Sequence, residues 1–184
     1  MNPETYAARI AEITTGLGIP PDYAATRGLI LQPEVGALVT ARVLRNGREL
    51  QLDLATAAAW SAMVTAAAAD QVTLLLLSGF RSVDYQRQII ERKLSEGQTL
   101  EQVLRVNAAP GYSEHHTGRA VDIGTPGCQA LVEEFEQTAA FAWLARRAAE
   151  FGFLLSYPRN NPHGIIYEPW HWFHREIGHA SAAR

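Results

Sequence analysis

The period of apolar positions changes several times along this chain, and each change marks an element. Residues 3–15 form an amphipathic run that ends at Gly16 and Gly18, and they predict a helix. The stretch "GIPPDY" predicts a loop, because two prolines fit neither a helix interior nor a central strand. "VTARVLRNGRELQLDL" predicts a hairpin: Asn46-Gly47 suits a two-residue type I′ turn, and "ELQLDL" alternates on its far side. Residues 55–69 are rich in alanine and predict a helix. "VTLLLLS", residues 72–78, predicts a buried strand.

Three later helices announce themselves by their caps. Ser82 caps one that runs to about Leu94, with Gly97 as its stop, and Thr99 caps "LEQVLRV". Thr138 caps "AAFAWLARRAAEF", which ends at Gly152. "RAVDI", residues 119–123, predicts a strand with Ala120 and Asp122 on one side and Val121 and Ile123 on the other. "FLLSY", "GIIYE" and "WHWFH" predict further strands or strand ends around the loop "PRNNPHG". Helices mostly precede the paired strands without alternating with them. The expected class is α+β: helices on one face of a small, mainly antiparallel sheet.

Composition narrows the partners. With 184 residues, 47% hydrophobic and 19% charged, the chain is expected to be one soluble globular domain, 1–184. A formal charge of −3 gives no basic footprint for nucleic acid. The lone Cys128 excludes a disulfide framework and a thiolate zinc cage, and reads as a structural thiol. No apolar run reaches the length of a membrane span, and the N-terminus lacks a secretory apolar core. As written the chain reads as cytoplasmic, or as periplasmic or cell-envelope if an export signal has been trimmed.

The candidate chemistry lies in two histidine–carboxylate clusters and one arginine. "GYSEHHTGRAVDIG" sets His115 and His116 before Asp122, a carboxylate among Ala120, Val121 and Ile123. An ionised carboxylate in apolar surroundings needs a cation or a solvent-facing strand end. Thr117-Gly118 lets the chain turn back and bring one histidine towards Asp122; the spacing does not choose between His115 and His116. "YEPWHWFH" supplies Glu168, His171 and His174. Pro169 keeps Glu168 out of a helix, so a strand end and a tight bend are expected there. Catalytic zinc commonly takes three ligands from such residues and keeps an open position. The plainer alternative is that these histidines pack among Trp170, Trp172 and Phe173. In "LLLLSGFRSVDYQ" a buried strand presents Arg81 at its C-terminal end, either in a surface ion pair or as a clamp for a carboxylate or oxyanion.

Together, "SGFRSVDYQ", "SEHHTGRAVD" and "YEPWHW" resemble the D-alanyl-D-alanine carboxypeptidase and dipeptidase family of zinc peptidases, the VanY/VanX type. The order and separation of the motifs match across residues 74–174, and Ser113, His115, Gly118, Ala120 and Asp122 meet the pattern Ser-x-His-x-x-Gly-x-Ala-x-Asp. The resemblance implies the α+β fold shared with the hedgehog signalling domain, with a catalytic core over 71–184 behind N-terminal helices and a hairpin in 1–70. It implies Zn²⁺ held by His115, Asp122 and His171, with Glu168 as catalytic base. Arg81 falls on the arginine that polarises the scissile carbonyl or holds substrate, and Ser113 and Gln86 fall on positions that help bind the terminal D-residue. His116, His163, His174 and His179 receive no role.

The implied substrate is a peptidoglycan-derived peptide ending in D-alanine. Alternatives within the fold are a D-Ala-D-Ala dipeptidase and an L,D-carboxypeptidase; a non-catalytic zinc-binding module is a further one. The chain departs from the family pattern in "WFHREIGH" and in the loop "PRNNPHG".

Overall fold

The computed structural model describes residues 2–175. Helix α1 (Pro3–Gly16) begins at Asn2, whose side chain accepts from the Glu4 amide, and a short helix α2 (Tyr23–Thr26) follows. Strands β1 (Val39–Val43) and β2 (Glu49–Leu52) form a separate antiparallel hairpin. Helix α3 (Leu54–Ala69), strand β3 (Leu75–Ser78), and helices α4 (Val83–Ser95) and α5 (Leu100–Val106) come next. Strand β4 (Ala120–Gly124), helix α6 (Ala139–Arg147), and strands β5 (Phe153–Leu155) and β6 (His171–His174) complete the fold. The predicted caps Ser82, Thr99 and Thr138 each accept from the backbone of their helix, so those three starts lie where the sequence places them.

The main sheet has the order β3-β4-β6-β5 and is antiparallel throughout, as an α+β architecture requires. Its register sets Ser78 opposite Asp122 and Asp122 opposite His171. Alternation then sends Val121, Ile123 and Trp172 to one face, where they join Trp60, Met63 and Ala67 of α3 and Ala140, Trp143 and Leu144 of α6 in the principal core. Cys128 packs against the edge of this core, consistent with a structural thiol.

The expected α+β architecture is present, and further helices lie beyond the Asp122 face, across a cavity from the sheet. A second apolar cluster joins Tyr23, Ile90, Val103 and Leu104, and α4 faces Leu77, Ser78 and Asp122 across a cavity. The polar row through Asp122 could not be sealed by apolar packing, so the helices on that side stand off and leave a hollow.

Two local expectations change. The hairpin turn is a three-residue loop: the Gly47 amide donates to Leu44 O, the Leu44 amide donates to Arg48 O, and within the loop only Gly47 has positive φ (80°). That is a turn followed by a left-handed glycine, with Asn46 in an ordinary conformation. "GIIYE" forms no strand, because its amides are taken by other elements: Ile166 donates to Arg105 O in the last turn of α5 and Glu168 to Tyr157 O after β5.

Candidate metal centre

The cavity beside Asp122 has a volume of about 500 Å³ and includes Arg81, Gln86, Ser113, His115, Glu168 and His171 in its lining. The residues to which the family resemblance gives a role, Arg81, Gln86, Ser113, His115, Asp122, Glu168 and His171, therefore meet in one place, while His116 and His174 do not line it. Each arrives there by a local device.

His115 lies in a 3-10 turn, Glu114–Thr117, that ends at Gly118 with φ 68°. A side chain at 118 would be strained by that φ and would also strike the Asp53 amide nitrogen at 2.8 Å, so glycine makes the reversal into β4 possible. Gly79 is needed for a different reason: a Cβ there would lie 2.5 Å from Gln51 O, where β2 crosses beneath the end of β3. The Gly79 carbonyl accepts from His115 Nδ1 at 2.6 Å. That bond fixes the tautomer and turns the Nε2 lone pair towards Asp122, 3.4 Å away. His171 opens β6 directly after a turn in which its amide donates to Glu168 O at 3.1 Å. Pro169 suits the second position of that turn and holds Glu168 extended, which is the bend the sequence anticipates.

His115, Asp122 and His171 each offer a ligand atom, and these atoms lie within 4.8 Å of one another. His171 Nδ1 sits 3.2 Å from Asp122 Oδ1. The decisive feature is His115 Nε2: it is fully buried and has no hydrogen-bond partner among the described residues. A buried nitrogen of this kind is costly unless something else occupies its lone pair. Two imidazoles and a carboxylate converging on one point, with one lone pair unspent, fit a zinc ion.

The electrostatics of the metal-free site leave His115 neutral and His171 protonated between two carboxylates, so a bound cation would take the place of the His171 Nδ1 proton. Burial, aided by Arg81, lowers the His115 pKa to about 4, so the ring is neutral as a ligand must be. Burial would raise the Asp122 carboxyl, but His115, His171 and Arg81 together hold it well below the usual range. For His171 burial opposes the charged ring, yet the hydrogen bonds of Asp122 and Glu114 outweigh it and lift its pKa to about 10. Glu168 is raised to about 7, chiefly by burial; Asp122 and Glu114 add to the rise while His171 and Arg81 oppose it. Its carboxylate oxygen is 3.8 Å from His171 Nδ1.

Arg81 reaches Asp122 Oδ2 at 3.5 Å and donates to Gln86 Oε1 at 3.2 Å, while Gln86 Nε2 is anchored on Ala108 O at 2.8 Å. Gln86 thus orients the guanidinium. Ser113, 4% exposed, stands in the cavity wall.

The remaining histidines separate by their bonds. His116 Nε2 accepts from the Gly111 amide at 3.0 Å and Nδ1 donates to Arg81 O at 2.7 Å, so both nitrogens are committed to holding loops. His174 Nδ1 pairs with Thr56 Oγ1 at 2.9 Å, and His163 Nδ1 with Arg27 O at 2.9 Å. His179 lies outside the described residues.

Sequence reasoning missed Glu114, Ser156 and Tyr157. Glu114 Oε2 accepts from His171 Nε2 at 2.8 Å and from Ser156 Oγ at 2.6 Å, and the Tyr157 ring lies 4.8 Å from that of His171. Only the 3-10 turn carries Glu114 round to His171; no spacing rule would reveal it.

A sequence model described as "VanY: D-alanyl-D-alanine carboxypeptidase" matches residues 49–177. The chain belongs to the VanY family. A D-alanyl-D-alanine carboxypeptidase of Enterococcus faecalis is 31% identical over 151 residues, covering 77% of this chain and 53% of the relative. This VanY-family chain therefore spans about half the length of that curated relative. Among solved structures, the LdcB LD-carboxypeptidase aligns with a TM-score of 0.68 and 32% identity, covering 77% of this chain and 69% of that one. A variant of the vancomycin-resistance D,D-pentapeptidase VanY, solved in complex with Zn(II), aligns with a TM-score of 0.61 and 29% identity over 79% of this chain and 82% of that one. Among the described residues, no helix of the VanY-family chain is long and apolar enough to cross a membrane.

Proposed function

We propose that this chain is a zinc-dependent D-alanyl-D-alanine carboxypeptidase that hydrolyses the terminal peptide bond of peptidoglycan stem peptides. Residues 1–184 act as one peptidase domain in this reading. The observation that carries it is the unpartnered, buried His115 Nε2 aimed at Asp122 and His171 beside a cavity that holds Glu168.

His115, Asp122 and His171 would hold the ion. Zinc, when bound, supplies Lewis acidity, making water acidic near neutral pH and drawing electron density from a carbonyl oxygen. Glu168 takes the proton of the attacking water and passes it to the leaving amine, a two-way transfer suited to a carboxylate whose pKa lies at about 7. Arg81, aligned by Gln86, holds the carbonyl oxygen or terminal carboxylate of the peptide, and Ser113 contributes a hydroxyl from the wall. A site that only bound zinc would have no use for a buried carboxylate beside the ion, which disfavours the non-catalytic alternative.

An L,D-carboxypeptidase is the second reading, favoured by the higher TM-score with LdcB. D-alanine release from D-Ala-D-Ala, a tetrapeptide stem and a pentapeptide stem, with and without chelator, separates these activities. The proposal expects release from the pentapeptide, abolished by chelator and restored by zinc. Release from the tetrapeptide alone would establish the L,D reading, and from the free dipeptide alone the dipeptidase. Chelator-insensitive release, or none from any peptide, would overturn the zinc peptidase.

A further inference from the structure

His115 and His171 are oriented by different kinds of partner. His115 Nδ1 is held by a backbone carbonyl, Gly79 O, at 2.6 Å. His171 Nε2 is held instead by the carboxylate of Glu114 at 2.8 Å, and that oxygen also accepts from Ser156 Oγ at 2.6 Å. The Glu114 side chain is 19% exposed and His171 is 4% exposed, so the contact is largely shielded from water.

We infer that Glu114, braced by Ser156, is a positioning residue for His171: it fixes the ring with Nε2–H outward and the Nδ1 lone pair towards Asp122 and His115. The inference rests on the zinc reading of the site. The geometry provides the reason. His171 Nδ1 lies 3.2 Å from Asp122 Oδ1, and the two imidazole rings meet edge to face with centroids 4.9 Å apart. A half-turn of the His171 ring would point a C–H at the ion, and the opposite tautomer an N–H, in place of a lone pair. A carboxylate partner also makes the imidazole a more basic ligand than a carbonyl does. Ser156 is itself placed by the sheet, since it follows β5 and its amide donates to His171 O at 3.4 Å. The brace and the ligand therefore come from neighbouring strands.

The test is zinc titration of metal-free protein against a chromophoric chelator, with the visible spectrum of the cobalt-substituted protein as a second readout. Wild type should bind one zinc tightly. Glu114→Ala should weaken zinc binding about 10–100-fold and change the cobalt ligand-field bands. Glu114→Gln should recover part of the loss, because its amide oxygen still accepts from Nε2–H. Ser156→Ala should show a smaller loss of the same kind. Wild-type zinc affinity and an unchanged cobalt spectrum in Glu114→Ala would overturn the inference while leaving the zinc site intact. If Glu114→Ala does not fold, wild-type affinity in both Glu114→Gln and Ser156→Ala would overturn it. Failure of the wild type to bind zinc would overturn the underlying site as well.

Discussion

His171 and His174 stand three residues apart on one short strand, and the two faces of the sheet give them opposite lives. His174 Nδ1 rests on Thr56 Oγ1, and Thr56 donates in turn to Asp53, which caps α3. That chain is a histidine, a hydroxyl and a carboxylate linked end to end, and it ties β6 to the first turn of a helix. His171 also meets carboxylates, but its neighbour His115 keeps a buried lone pair unsatisfied at the edge of a 500 Å³ cavity. The residue types are almost the same on both faces. What marks the functional face is an unmet valence where something can enter, and composition alone does not disclose it.

Substitutions should divide along this line. The largest effect belongs to Glu168→Ala: zinc content stays at one per chain while kcat for D-alanine release falls by about 10²–10⁴-fold. Turnover close to wild type would remove Glu168 from the role of base. Next, His115→Ala should lose zinc, measured by metal analysis after dialysis, while His116→Ala keeps it. The His116 variant should instead lose about 1–3 kcal/mol of stability in denaturant unfolding, since the Gly111 amide and Arg81 carbonyl lose their partner. Reversal of that pair would exchange the roles of the two histidines. His174→Ala should likewise retain zinc and lose about 1–3 kcal/mol. The smallest effect is expected from Asp53→Ala, which removes the α3 cap for about 1 kcal/mol and leaves turnover unchanged.

Much of the site was legible because strand periodicity and capping are local. Alternation in "RAVDI" put Asp122 opposite Val121 and Ile123, and Pro169 announced the bend at Glu168. The choice between His115 and His116 was not local. Both lie in one 3-10 turn; the family motif falls on His115, and the contacts with Gly79, Gly111 and Arg81 give the physical reason. The first seventy residues carry little of the motif pattern yet clamp the site loops: Val35 donates to His116 O, Gln32 to Gly111 O, and Glu34 caps α4 through the Val83 amide. Those bonds use backbone and a lone carboxylate, which leave no periodic trace. "GIIYE" is rich in β-formers, but its amides pair with a carbonyl in the last turn of α5 and with one in the loop after β5, a tertiary outcome that β propensity cannot foresee.

In the proposed enzyme one divalent ion joins the segments ending at Asp122 and beginning at His171. Anomalous diffraction at the zinc edge from crystals of the zinc-loaded protein tests it most directly. A single strong peak is expected, bonded to His115 Nε2, Asp122 and His171 Nδ1 at about 2.0–2.2 Å. A peak elsewhere, or none at these three residues, would contradict it.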